Sequence, residues 1–188
     1  MDYMGNKEYW DDKFAKRSNN PLSPEKSLVE NIALFKQGSV LDLACGDGRN
    51  TLFLLEKGFR VTGVDFSANA LERLKMFAQA NNYLADTKQI DLSIPGSLKA
   101  VGVYDNILVN HYRLNKEQLE DIENHIAYNG ILFICGFGHK HKADLNIRCE
   151  DLIRTEDFED IKKAFRQIKY IEIQEERGFF VTYIYQKI

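Results

Sequence analysis

Two glycines and an aspartate accompany the first two apolar runs of the chain that have the pattern of strands. Gly46 and Gly48 follow the run 39–44, and Asp65 closes a second run at 60–64. A glycine turn between a strand and a helix exposes backbone N–H groups and lets ligand atoms approach the main chain. A carboxylate at the end of the next strand, about 20 residues further on, can accept hydrogen bonds from both hydroxyls of a ribose. The spacing therefore indicates a binding site for a nucleoside-type cofactor.

Further polar side chains lie in or after the other strand-like runs. Asp42 lies inside the first run, where a carboxylate is costly unless a partner satisfies it. Asp91 closes the third run, and Asn110-His111-Tyr112 follows the fourth. Ligands of open α/β sheets bind beyond the carboxyl ends of the strands, so these side chains should border one cleft. His111 is then placed either to act as a general base or orient a substrate, or to pack at the rim.

The motif Asp42-x-Ala44-x-Gly46-x-Gly48, with an acid closing the next strand, resembles the cofactor signature of class I S-adenosylmethionine-dependent methyltransferases. The string LDLACGDGRNTLFLLEKGFRVTGVDFSANALERLK is similar to small bacterial members related to the tellurite-resistance and thiopurine methyltransferases. The resemblance implies S-adenosylmethionine as methyl donor, S-adenosylhomocysteine as product and a small molecule as acceptor. Ala44 stands where the family usually has its first glycine, and we expect the turn to survive the added methyl group.

The resemblance also implies roles for individual residues. Asp65 would bind the ribose hydroxyls while Phe66 packs on adenine, and Asp91 would accept from the adenine amino group beside the backbone N–H of Leu92. Asp42 would orient the glycine loop near the amino group of the cofactor. The alternatives are an Asp65 that caps the next helix and an Asp42 that only braces the turn. The complete set expected at the cofactor is Asp42, Ala44, Gly46, Gly48, Arg49, Asn50, Asp65, Phe66, Asp91, Leu92 and Asn110.

On the substrate side we expect Tyr9, Trp10, His111 and Tyr112. Tyr9 and Trp10 belong to an aromatic stripe in a predicted helix at 6–16. That helix either closes over the cleft as a lid, with a cation–π contact to the sulfonium, or anchors itself to the sheet. The pair His139-x-His141 without a third ligand indicates a solvated basic loop, and no metal is expected.

Two other functions are compatible with the same residues. A non-catalytic regulatory module could keep the cofactor pocket, because no catalytic acid or base is compelling. An NAD-dependent oxidoreductase shares the order strand, glycine turn and helix, but Thr51 occupies the place of the third glycine and Asp42 would have no use there.

Composition limits the class of protein further. The 188 residues suit a single domain, with N-terminal helices at 1–37 and a cofactor-binding core at 38–188. The net charge of −3 gives no electrostatic reason to expect nucleic-acid or membrane partners. Three scattered cysteines form no disulfide framework, and there is no signal peptide or apolar span of membrane length. We expect a cytoplasmic monomer or homodimer.

The order of the elements must bring these residues together. Strands at 39–44, 60–64, 86–91, 104–109 and 131–135 alternate with helices at 50–57, 68–80 and 116–127. The alternation predicts right-handed crossovers and a mostly parallel sheet with helices on both faces. A second helix at 26–37, capped by Ser23, and a late helix at 155–165 complete the helical set. A hairpin at 168–187 places one strand antiparallel. The fold class is therefore α/β, Rossmann-like and doubly wound, with the seven strands that the resemblance implies.

Overall fold

A computed structural model describes residues 6–188, so the first five residues of the predicted N-terminal region lie outside the described part of the chain. Seven strands form one sheet in the order β3-β2-β1-β4-β5-β7-β6. Strand β7 is antiparallel to both of its neighbours, and all the other pairs are parallel, as the sequence predicted. The strands are β1 (Ser39–Leu43), β2 (Arg60–Asp65), β3 (Asp86–Gln89), β4 (Tyr104–Asn110), β5 (Ile126–Phe137), β6 (Phe165–Glu175) and β7 (Gly178–Lys187).

Helices cover both faces of the sheet, and alternate residues of each strand point to opposite faces. Val40 of β1 packs into one core cluster with Leu28 and Phe133, whereas Leu41 and Leu43 pack into the other. None of the helices built from residues 6–188 is both long and apolar enough to cross a bilayer. The helices are α1 (Lys7–Lys16), α2 (Lys26–Asn31), α3 (Arg49–Glu56), α4 (Ala68–Ala80) and α5 (Lys116–Ile122).

Two predicted helices, the one at 26–37 and the one at 155–165, differ from the structure. Helix α2 begins after Glu25, whose backbone has an extended conformation, and not at a Ser23 cap. It ends at Asn31 and continues only as a 3₁₀ turn, so the helix predicted to Gln37 is too long. The predicted helix at 155–165 consists of two short 3₁₀ turns, and its last residue, Phe165, begins strand β6.

The predicted turn at Asn129-Gly130 is instead part of strand β5. The pairing of β5 with β4 shifts register between Tyr104 and Asn106, which takes up the extra residues as a bulge. Asn129 adopts a positive φ of 60° there, a conformation that asparagine tolerates better than most residues. A pair of residues typical of turns therefore lies inside a strand. Helix α5, predicted to extend to residue 127, ends earlier, at Ile122.

Candidate active site

A cleft of about 730 Å³ lies at the carboxyl ends of strands β1, β2 and β4, beneath helix α1. Its position is the one expected for a ligand of an open α/β sheet. Two predicted residues, Tyr9 and Gly48, do not line the cleft. The predicted residues that do line it are Trp10, Asp42, Ala44, Gly46, Arg49, Asn50, Asp65, Phe66, Asp91, Leu92, Asn110, His111 and Tyr112.

The glycine loop joins β1 to α3 with an unusual backbone. Ala44 has a φ of 53° and Gly46 a φ of 55°. The left-handed region suits glycine, which accounts for the glycine that the family usually has at the place of Ala44. The turn nevertheless forms, as expected from the sequence. The Phe14 ring lies about 3.0 Å from where a Cβ on Gly46 would stand, so α1 packs directly on this loop.

Gly48 serves packing between two helices and does not face the cleft. It begins α3 with a φ of 88°, and a Cβ there would overlap the Leu74 side chain of α4. The second glycine therefore allows α3 and α4 to approach each other. A direct contact between Gly48 and a cofactor stays a prediction of the sequence.

Asp65 ties the tip of β2 to the glycine loop. One carboxylate oxygen accepts a hydrogen bond from the Gly46 N–H at 2.9 Å, and the other accepts from the Ser67 N–H at 3.0 Å. Burial raises the pKa of the Asp65 carboxyl above its usual value. The two sequence interpretations are compatible, because the same carboxylate supports the start of α4 and lines the cleft.

Asp42 is buried beneath the loop, with 1% of its surface exposed. Burial raises the pKa of its carboxyl to about 7, against the opposing effect of the Thr51 hydroxyl, which donates a hydrogen bond at 2.6 Å. Asp65 adds to the rise by charge repulsion. A cationic ligand above the loop would relieve both carboxylates.

Helix α1 is fastened across the cleft by polar contacts along its length. Lys7 forms an ion pair with Asp91, and Asp11 accepts a hydrogen bond from Ser67 at 2.5 Å. Arg17 pairs with Asp47 of the glycine loop at 2.8 Å. Trp10 stacks on Phe14 inside the cleft, whereas Tyr9 packs edge-on against Trp10 from outside it. The expected adenine contact of Asp91 therefore shares its carboxylate with Lys7.

A buried cluster that the sequence did not reveal surrounds Glu25. Its carboxylate lies 3.0 Å from Nε2 of His111, 3.1 Å from Arg49 and 3.6 Å from Arg177. Although burial opposes the shift, these partners lower the pKa of Glu25 to about 2. A Pro-Glu pair before a helix has the pattern of an ordinary helix start, so no signal in the sequence marked Glu25.

The His139–Lys142 loop lies outside the cleft. His139 is 4.0 Å from Glu172, and Lys140 pairs with the same carboxylate. His141 packs on Phe137 with ring centroids 4.4 Å apart. The described residues include no group of His, Cys, Asp or Glu arranged to hold a metal ion.

Unsatisfied polar atoms show what kind of group would fit the cleft. Nε of Arg49 and Oδ1 of Asn110 are buried without a hydrogen-bond partner, and both residues line the cleft. A ligand that carries both an acceptor and a donor would satisfy them. Together with the carboxylates of Asp42 and Asp65, these two atoms suit a ligand with a carboxylate, an ammonium group and hydroxyls.

The sheet order, the reversed β7 and the cleft over the β1–α3 loop define the fold of class I S-adenosylmethionine-dependent methyltransferases. The resemblance seen in the sequence is confirmed at the level of the family. The sequence model of the family described as tellurite resistance protein TehB matches residues 3–127. The chain belongs to the TehB family.

Solved structures share the fold at low sequence identity. TehB from Haemophilus influenzae is 21% identical with a TM-score of 0.73, covering 95% of this chain and 67% of that one. The N-methyltransferase NodS from Bradyrhizobium japonicum, in complex with S-adenosyl-L-homocysteine, is 12% identical with a TM-score of 0.72, covering 96% of this chain and 97% of that one.

Curated relatives match over shorter stretches. The putative methyltransferase YqeM of Bacillus subtilis is 38% identical over 79 residues, which are 42% of this chain and 29% of that protein. An uncharacterized RNA methyltransferase of Protochlamydia amoebophila is 29% identical over 136 residues, or 68% of this chain and 30% of that protein. The chain thus spans less than a third of these relatives' length.

Proposed function

We propose that the chain transfers the methyl group of S-adenosylmethionine to a small-molecule acceptor. The observation that carries the proposal is the hydrogen bond from Gly46 to Asp65, which joins the glycine loop to the tip of the neighbouring strand at one cleft. Membership of the TehB family and the methyltransferase fold support it. The same support distinguishes it from an NAD-dependent oxidoreductase.

The lining residues have the chemistry to hold this cofactor. Asp65 would accept from the ribose hydroxyls, and Phe66 and Leu92 would flank adenine. Asp42 would face the positive end of the cofactor through the glycine loop, and Arg49 offers its unsatisfied Nε to a carboxylate. When bound, the cofactor supplies a methyl group already activated on a positive sulfur, so the protein mainly has to align the acceptor.

Acceptor size follows from the cleft. Its 730 Å³ must hold the cofactor and the acceptor together, and Phe137, Phe180 and Ile153 line the end beyond His111. These apolar side chains in the lining of the cleft favour a small acceptor over a nucleic acid. RNA appears in the names of some relatives, so RNA belongs among the acceptors that are tested. The cytoplasmic location and the monomer or homodimer remain part of this proposal.

Binding of the cofactor is the first test. Calorimetry should detect both S-adenosylmethionine and S-adenosylhomocysteine, and Asp65→Ala should weaken both by about 1.5–3 kcal/mol, the usual contribution of a hydrogen bond to a charged group. Asp86→Ala is the matched control, because Asp86 is an exposed residue of β3 outside the cleft. Undiminished binding by Asp65→Ala would contradict the proposed site.

Methyl transfer is tested separately with a radiolabelled methyl group. Wild-type protein should label an acceptor in a small-molecule extract and leave purified ribosomal and transfer RNA unlabelled. Binding without transfer to either pool would favour the non-catalytic regulatory module. Labelling of RNA alone would correct the acceptor class.

A further inference from the structure

His111 is held in a strained and specific position at the acceptor end of the cleft. Its φ of 57° lies in the left-handed region, which residues other than glycine rarely adopt. The backbone N–H of His111 donates to the Cys135 carbonyl at 2.7 Å. The His111 ring packs on Phe137 and Phe180, whose ring centroids are 5.7 and 5.4 Å away. One backbone hydrogen bond and two ring contacts therefore hold His111 at the wall of the cleft.

Glu25 determines which ring nitrogen of His111 carries the proton. A carboxylate with a pKa of about 2 is ionised and can only accept, so Nε2, at 3.0 Å, must be the protonated nitrogen. When the ring is neutral, its lone pair is on Nδ1. Among the described residues no group hydrogen-bonds this Nδ1, and the His111 side chain keeps 24% of its surface exposed.

We propose that Glu25 and His111 form a proton-accepting pair, and that the acceptor is a nucleophile that arrives with a proton, such as a thiol, amine or hydroxyl compound. The inference rests on the proposed methyl transfer and adds an acceptor class to it. Glu25 is the positioning residue and His111 the catalytic one. The arrangement would be superfluous for an acceptor without a proton to lose.

The step is balanced within the site. A lone pair of the acceptor atom forms the bond to the methyl carbon, and the electrons of the breaking carbon–sulfur bond stay on sulfur. The proton of the acceptor atom moves to Nδ1 of His111, and the Glu25 carboxylate compensates the imidazolium charge. The proton then passes to water.

Other charged groups near His111 are consistent with this role. Arg49 from α3 and Arg177 from the β6–β7 turn both pair with Glu25. The Cys135 thiol on β5 stays neutral, because burial raises its pKa to about 11. Glu25 is thus the single anion that the structure places against the imidazole, within the part of the chain described.

The tautomer of His111 can be measured without turnover. Two-bond ¹H–¹⁵N correlations of the ¹⁵N-histidine-labelled protein with S-adenosylhomocysteine should show Nε2 protonated and Nδ1 bare at the assay pH. The signals are assigned by their loss in His111→Asn, a replacement suited to the left-handed backbone. A proton on Nδ1, or on both nitrogens, would overturn the proposal.

Turnover then tests the acceptor class. With 2-mercaptoethanol or thiophenol as probe, His111→Asn should lower kcat about 100-fold near neutral pH, with activity recovering as rising pH ionises the thiol. Methylation of dimethyl sulfide, which has no proton to lose, should not change. Glu25→Gln should show the same selective loss of kcat as His111→Asn, and Glu25→Asp should recover part of the rate. His139→Asn is the matched control, because His139 lies outside the cleft.

Different failures have different meanings. An equal loss for thiols and dimethyl sulfide would show that His111 only shapes the cleft, and would reject the pair. Bound S-adenosylhomocysteine without methylation of any probe or extract would count against the proposed methyl transfer, while the tautomer still decides the pairing of Glu25 with His111.

Discussion

Burial of the Asp42 carboxylate destabilises the folded protein, and the positive charge of the proposed ligand would reduce this destabilisation. Burial raises the pKa of its carboxyl from 3.8 to about 7. Between these values the folded chain binds more protons than the unfolded chain, so the free energy of unfolding falls as pH rises through this range. Above pH 7 the full penalty remains, because the buried carboxylate is then charged.

Asp42→Asn should therefore stabilise the cofactor-free protein at pH 8 by ~2–4 kcal/mol, since three pKa units correspond to about 4 kcal/mol at most. The gain should shrink as pH falls from 7 and should vanish below the unfolded pKa of 3.8, where both states are protonated. Urea unfolding at several pH values measures it, with the exposed Asp86→Asn as control. A gain that does not depend on pH would contradict the shifted pKa. The same variant should bind S-adenosylmethionine more weakly.

Gly48 and Gly102 allow backbone strain to be separated from packing. Both have nearly the same φ, 88° and 90°, but a Cβ on Gly48 would overlap Leu74 whereas nothing lies within 4 Å at Gly102. Gly102→Ala should cost only the left-handed backbone, about 1–2 kcal/mol. Gly48→Ala should cost about 1–3 kcal/mol more from overpacking. Thermal or urea unfolding compares the two, and equal losses would rule out the helix-packing role of Gly48.

Residue types and spacing predicted one half of the site and not the other. Asp42, Gly46 and Asp65 could be found because strand ends in a parallel sheet lie side by side, so sequence spacing determines spatial proximity. Glu25 could not be found, since its partners His111 and Arg177 lie 86 and 152 residues further along the chain and meet it only after folding.

At the scale of elements, helix α1 lies across the cleft, where it can act either as a lid or as an anchor. Its described contacts include ion pairs with Asp91 and Asp47 and the packing of one buried ring, Phe14, which is 4% exposed. A lid and an anchor respond differently when one of these ion pairs is removed. A lid would release the cofactor faster, whereas an anchor would lower the stability of the whole fold.

Arg17→Ala should distinguish them. Its half-buried pair with Asp47 is worth about 1.5–3 kcal/mol as a charged hydrogen bond. If α1 closes over bound S-adenosylhomocysteine, the dissociation rate should rise about tenfold for each 1.4 kcal/mol lost. Lys16→Ala is the control, because its pair with Asp12 on the same helix is exposed. Stopped-flow displacement measures the rate, and an unchanged rate with a lower unfolding midpoint would favour the anchor.

Elements with strong periodicity were predicted well, and those fixed by tertiary pairing were not. Helix α4 has Ser67 as its cap and the apolar face that its sequence shows. The segment predicted as a helix at 155–165 forms two 3₁₀ turns and ends where Phe165 pairs with Lys187 as the first residue of β6. Pairing with a strand some 20 residues away therefore determines where this segment ends.

Over the whole molecule, the central strands of the sheet carry the cleft, and helix α1 lies across it. Most residues of the central strands β1, β4 and β5 are buried, whereas most residues of the edge strand β6 are exposed. Hydrogen exchange should therefore be slowest in the centre and faster at β6 whether or not ligand is present.

Addition of S-adenosylhomocysteine should slow exchange in two separate stretches, residues 7–16 and 44–48, and leave β6 unchanged. Loop and helix are linked through Phe14 on Gly46 and through Arg17 on Asp47, so a ligand that orders one should order the other. Arg17→Ala breaks one of these links and should preserve protection of 44–48 while reducing that of 7–16. If the ligand slowed exchange only at 44–48 in the wild-type chain, it would bind beneath α1 without ordering that helix. This outcome would contradict the interpretation of α1 as a lid.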